Sequence, residues 1–138
     1  MSDLVPRADG AAPLWADGDN RFKAVQAKLR RFGSVMDDAA LTLESLRRSM
    51  QANATRTEDV ARDIDNADLD PQFVDLTNNV AVALGGAATE IRKLRDTAQE
   101  TADLTHKTRR THSKLYGALD DIRSNRNVKT PKAGFFDR

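Results

Sequence analysis

Cysteine is absent from this chain of 138 residues, which excludes disulfides, thiolate metal sites and a cysteine nucleophile. Aromatic residues make up 5%, lean for a large globular core, and the basic segments carry no interleaved aromatics on which bases would stack. Proline is scarce where it would interrupt a helix: Pro6, Pro13 and Pro131 lie near the chain ends and only Pro71 is internal. No apolar run approaches the ~20 residues needed to span a bilayer. The opening MSDLVPRADGAAPLW has acids and prolines where a signal peptide has a basic start and an apolar core. The expectation is a soluble cytoplasmic protein of long helices.

From Phe22 onward the apolar residues keep a beat of alternating threes and fours. Phe22, Val25, Leu29, Phe32, Met36, Ala39, Leu43, Leu46 and Met50 hold it, and Asn53, Thr57, Val60, Ile64 and Ala67 continue it. A strand needs a period of two, whereas an average step of 3.5 marks a left-handed coiled-coil seam. The pattern stops at NADLDPQF, where Asp70 is a good N-cap, Pro71 suits the first helical position and Leu69 is placed to staple onto Val74. A second seam runs Phe73, Leu76, Val80, Leu84, Ala87, Ile91, Leu94, Ala98 and on through Thr101, Thr105, Thr108, His112, Leu115, Leu119 and Ile122. Two steps of four, Leu76 to Val80 to Leu84, form a stutter that relaxes the supercoil. The four seam positions from Thr101 to His112 lack large apolar groups, which reads either as a device that sets register or oligomeric state or as a local opening where a partner helix inserts.

The sequence therefore predicts an all-α fold: a long, coiled-coil-like antiparallel hairpin over 17–125, with helices over about 20–66 and 71–125 and a turn near Pro71. Asp17 or Asp19 is the expected N-cap of the first helix. Flexible tails are expected at 1–16 and 126–138. Thr55-x-x-Glu58 in NATRTE is a possible capping box, at which the first helix would break in two. Gly85-Gly86 reads as a hinge or, preferably, as a kink or a point of close helix approach. Val35, Leu41, Val74, Val82 and Leu104 lie off the seam and widen the apolar stripe, which favours two hairpins pairing as a four-helix dimer.

Charge is unevenly placed although the net charge is only +1. Residues 58–75 hold seven acids and one arginine, residues 1–31 six bases and four acids, and residues 107–138 nine bases and three acids. Folded at Pro71, the chain is a rod with an acidic tip and a basic open end. Lys107, Arg109, Arg110, Lys114, Arg123, Arg126, Lys129 and Lys132 are candidates for contact with a protein partner, a nucleic-acid backbone, an anionic membrane surface or the acidic tip of a second copy.

Motifs for chemistry are missing. ALGGAA lacks the Lys-Ser/Thr of a phosphate loop and the third glycine of a dinucleotide fingerprint. His106 and His112 are six residues apart, on different helix faces, and Asp120 and Asp121 diverge as neighbours on a helix. A non-enzymatic protein with no cofactor, metal or small-molecule substrate is expected.

The segments DGDNRFKAVQAKL, LGGAATEIRKLRD and RRTHSKLYGALDDIRSNR, with the ending KTPKAGFF, resemble small actinobacterial proteins labelled as conjugal transfer proteins (TraB). The resemblance covers nearly the whole chain and implies an accessory role beside a mobile element. The large DNA-translocating TraB ATPase is a different type of protein whose nucleotide-binding motifs this chain lacks, so no ATPase is implied. YGALD, Tyr116 to Asp120, is similar to the Tyr-x-x-x-Asp export signal of type VII secretion substrates, which are also antiparallel hairpins and often dimeric. Their turn carries Trp-x-Gly where this chain has ADLDP. That likeness implies export, with Tyr116 and Asp120 as the signal.

Overall fold

The computed structural model describes residues 20–125. They form two helices, α1 (Phe22–Asn66) and α2 (Pro71–Ser124), packed on each other as an antiparallel hairpin. The expected bounds hold to within two residues. Asp17, Asp19 and both expected tails lie outside the described residues. The residue that flanks α1 is Arg21, which makes no side-chain cap, and the first turn holds no acid.

The turn is built by backbone chemistry. Asp68 has φ 53°, a left-handed conformation that Asp tolerates better than most residues. With it in place, Leu69 N–H donates to Ile64 O (3.4 Å) and Asp68 N–H to Asp65 O (3.1 Å), the pair of bonds that closes a Schellman motif. Asp70 then caps α2, its carboxylate accepting from Gln72 N–H at 2.9 Å, with Pro71 at the first helical position.

Both helices run unbroken. The break considered at Thr55 does not occur: Thr55 Oγ1 donates back to Gln51 O (3.3 Å) and Thr57 Oγ1 to Asn53 O (2.8 Å), so the hydroxyls serve the helix instead of capping a new one. Gly85 and Gly86 are not a point of close approach, because a Cβ at either would meet nothing within 4 Å. The close approach is at Gly33, where an added Cβ would lie 2.6 Å from His106 Cε1.

The buried line is offset from the expected seam. Gly33, Ala40, Ala54 and Ala61 are the buried residues of α1, and Ala81, Ala88, Ala102 and Thr105 those of α2. Apart from Thr105 they recur in sevens, and Arg47 and Arg95 stand where each series skips a step. On α1 this line sits one residue after Phe32, Ala39, Asn53 and Val60, which the sequence had placed in the seam. The other half of the expected seam is retained: Leu29, Met36, Leu43, Met50, Ile64, Leu84, Ile91 and Ala98 are half-buried. Small residues at every seventh place let the axes come to the short end of the ~8–10 Å range for packed helices. Among the described residues no large side chain is fully buried, while Leu46, Val60, Phe73, Val80, Leu94 and Leu115 stay exposed.

Candidate functional site

Polar contacts join the helices from the middle of the rod to its open end. Glu44 on α1 sits among three arginines. Arg47 donates to both of its carboxylate oxygens (3.0 and 2.8 Å), Arg48 Nε to Oε1 (3.1 Å), and Arg95 of α2 reaches across to Oε2 (2.8 Å). These bonds, Arg47's foremost, hold the Glu44 carboxyl down to about 2 against the opposing effect of desolvation. Arg95 also bonds Asp96, and that bond with the one to Glu44 raises its pKa. The two arginines thus turn the gaps in the alanine series into a charged layer that joins the helices.

One step closer to the open end, His106 Nε2 lies 2.9 Å from Asp37 Oδ2, and Gln99 Nε2 donates to Asp37 Oδ1 at 3.3 Å. The bond to His106 is the main cause that lowers the Asp37 pKa. The seam threonines satisfy themselves: Thr105 Oγ1 donates to Thr101 O (2.7 Å) and Thr101 Oγ1 to Thr97 O (2.8 Å). Gln26 donates to Arg109 O (3.1 Å) and meets His112 Nδ1 at 2.8 Å. With the amide donating, His112 Nδ1 accepts and the ring proton sits on Nε2.

At the open end α2 outruns α1, having 54 residues to its 45. Phe22 stacks on His112 (centroids 5.3 Å apart, planes at 10°), and Tyr116 tilts against the same ring at 5.1 Å. The overhang leaves a cleft of about 640 Å³ lined by Asn20, Arg21, Phe22, His112, Tyr116, Leu119, Asp120, Arg123 and Ser124. Its lining combines the aromatic rings of Phe22, His112 and Tyr116 with the charged side chains of Arg21, Asp120 and Arg123.

The sequence-predicted basic residues divide three ways. Lys107, Arg110, Lys114 and Arg123 are exposed. Arg109 differs: it is half-buried on the side of α2 that faces α1, and its Nε is buried without a hydrogen-bond partner. Arg126, Lys129 and Lys132 lie outside the described residues. The α1 half of this end was counted in its charge but not among the candidate residues; residues 20–31 hold Arg21, Lys23, Lys28, Arg30 and Arg31 and no acid. With residues 107–125, which hold five bases and two acids, the described open end carries net +8. Tyr116 and Asp120, one helical turn apart, both line the cleft. His106 and His112 each contact α1 but at different levels, and among the described residues no three His, Cys, Asp or Glu side chains are grouped to hold a metal ion.

Fold and site together define a two-helix antiparallel hairpin with an acidic turn and a basic open end that carries a cleft lined in part by aromatic rings. Compared with family models, with curated proteins and with solved structures, the chain matches none. Among the described residues no helix is long and apolar enough to cross a membrane.

Proposed function

We propose that the chain is a non-enzymatic accessory or adaptor protein of conjugal plasmid transfer, working as a dimer of hairpins that contacts an acidic protein partner through the open end. The observation that carries the reading is the cleft lined by Phe22, His112, Tyr116 and Leu119 together with Arg21 and Arg123, at an end of the rod where α2 also exposes Lys107, Arg110 and Lys114. Aromatic rings in the lining give contact area and the cations of this end steer an acidic segment towards it. The link to plasmid transfer comes from the resemblance of the three sequence segments above. The contact is tested by titrating the full chain with an acidic peptide and, separately, with duplex DNA. Replacing Lys107, Arg110 and Lys114 with Ala lowers affinity for both, whereas Tyr116→Ala lowers it for the peptide alone. Unchanged peptide affinity in both variants contradicts the reading.

A second reading, export by a type VII system, is favoured by one observation: Tyr116 and Asp120 share a wall of the cleft. It predicts the protein in culture medium, lost on Tyr116→Ala. Retention in cells with an intact type VII system removes it.

A further inference from the structure

We propose that one side of the hairpin is a self-docking surface, on which a second copy lies antiparallel, acidic turn over basic open end, with Leu46 and Leu94 at the two-fold axis. The proposal rests on the dimer named above and supplies its face, direction and register.

The two sides of the hairpin differ in chemistry. On one side Asp37 and Glu44 of α1 meet Gln99, His106 and Arg95 of α2. Apart from Gly85 and, at the start of α2, Pro71, the heptad lines through Asp37 and through His106 hold polar residues: Arg30, Gln51, Glu58 and Asp65 on α1, Asn78, Arg92, Ser113 and Asp120 on α2. The line just before the buried small residues turns the opposite way on each helix. Because the helices are antiparallel, equal displacements in the same sense bring those two lines to the same side. This second side is apolar.

The contacts Glu44–Arg95 and Gln26–His112 fix which levels of α1 and α2 lie side by side. On that alignment Leu46 stands level with Leu94, Val60 with Val80, and Ala67 with Phe73. Towards the open end the levels are Ala39 with Thr101, Phe32 with Thr108, and Val25 with Leu115. Leu94 is 58% exposed and Leu115 62%, although both continue the apolar beat. Val25, Phe32 and Ala39 are half-buried.

Three features point to another copy as the occupant. The face is self-complementary about Leu46/Leu94: under a two-fold there, the small pair Asn53/Ala87 meets the small pair Ala39/Thr101, Val60/Val80 meets Phe32/Thr108, and Ala67/Phe73 meets Val25/Leu115. The same register lays residues 58–75, at net −6, over the described open end at net +8, whereas a parallel pair would set like charge on like at both ends. The area also suffices: a face ~60 Å long and two helices wide offers roughly 1,200 Å² per copy, above the ~800 Å² of a standard stable interface. Lys107, Arg110 and Lys114 fall off this face, so a dimer carries two outward basic ends at opposite poles of one rod.

The absence of cysteine makes the register testable in the full chain by single substitutions and mild oxidation. The unsubstituted protein should sediment at twice 15.2 kDa. Leu46→Cys should cross-link to itself; Val60→Cys should not, yet should link to Phe32→Cys when the two variants are mixed and re-equilibrated. Leu94→Glu should remain helical by circular dichroism and weaken the dimer at least 100-fold, while Val82→Glu, also at an exposed site (75%) but off the face, leaves it intact. A monomer for the unsubstituted chain at tens of micromolar overturns both the dimer reading and this proposal. A dimer in which Val60→Cys links to itself, or in which Leu94→Glu has no effect, overturns the register or the face and leaves the dimer reading standing.

Discussion

Near the turn, the hairpin's buried positions are Ala54, Ala61, Ala81 and Ala88, and the helices meet through methyl groups. From Glu44 to Gln26, where Ala40 and Ala102 are buried as well, they also meet through carboxylates, guanidinium groups, imidazoles and an amide. The first half is held by closeness and tolerates little change in volume. The second is held by matched partners and tolerates volume better than loss of a partner. A surface of alanines fits many registers, since one step of seven along it looks like the next. The charged layer at Glu44 and the Asp37–His106 contact admit only one. The polar half therefore selects the alignment that the apolar half then stabilises.

The largest effect expected from breaking this contrast is at an alanine. Ala88→Leu puts three extra carbons at a buried alanine of the contact and should cost about 1–3 kcal/mol, read as a fall in the urea midpoint. The same Leu at exposed Ala52 should leave the midpoint nearly unchanged. Gly33→Ala is the corresponding test where the two halves differ, since the closest approach there is to a ring and not to a methyl. Helix propensity favours Ala by about 1 kcal/mol, but a Cβ at 2.6 Å from His106 Cε1 forces the ring off Asp37. The net outcome should be destabilising, visible in chemical denaturation.

Glu44→Gln sharpens the comparison through pH. The folded carboxyl is depressed from 4.5 to about 2, so its contribution is complete above about 4.5 and fades as pH falls through about 2. Wild type should therefore lose more stability than Glu44→Gln on acidification from neutral pH to pH 2, measured by thermal melts. An equal loss in the two proteins would remove Glu44 from the account. The smallest change is a gain: Gly85→Ala and Gly86→Ala meet open space and should each stabilise α2 by up to about 1 kcal/mol, whereas a hinge role would show as altered function without that gain.

Much of the fold was legible. Asp70-Pro71 announces a helix start by capping and by proline geometry, and the beat of threes and fours identifies two long helices. The helix stop before it was less visible, because Asp68 takes the left-handed position where Gly or Asn is the usual marker. The seam was misplaced by one residue for a physical reason. Periodicity weighs Leu, Val and Phe more heavily than Ala and Gly, so it finds the middle of the whole apolar arc. That arc includes both the contact inside the hairpin and the face left outside it. Taking Gly33, Ala40, Ala54 and Ala61 as a series of sevens would have located the inner contact. The Asp37–His106 and Glu44–Arg95 pairs depend on the level at which two distant segments meet, which a pattern along one helix does not contain. At the open end, Lys107, Arg110 and Lys114 were readable as a charge cluster. The burial of Arg109 was not, because it follows from the same offset of the seam.

Small-angle X-ray scattering on the full chain at neutral pH examines the central point most directly: small residues close the hairpin and large ones are left for a second hairpin laid alongside it. The scattering should give the mass of two chains in a helical rod of ~90 Å, because α2 runs on from Leu94 at the two-fold axis to Ser124 in both directions. The mass of one chain, or two chains in a rod approaching twice that length, would contradict it.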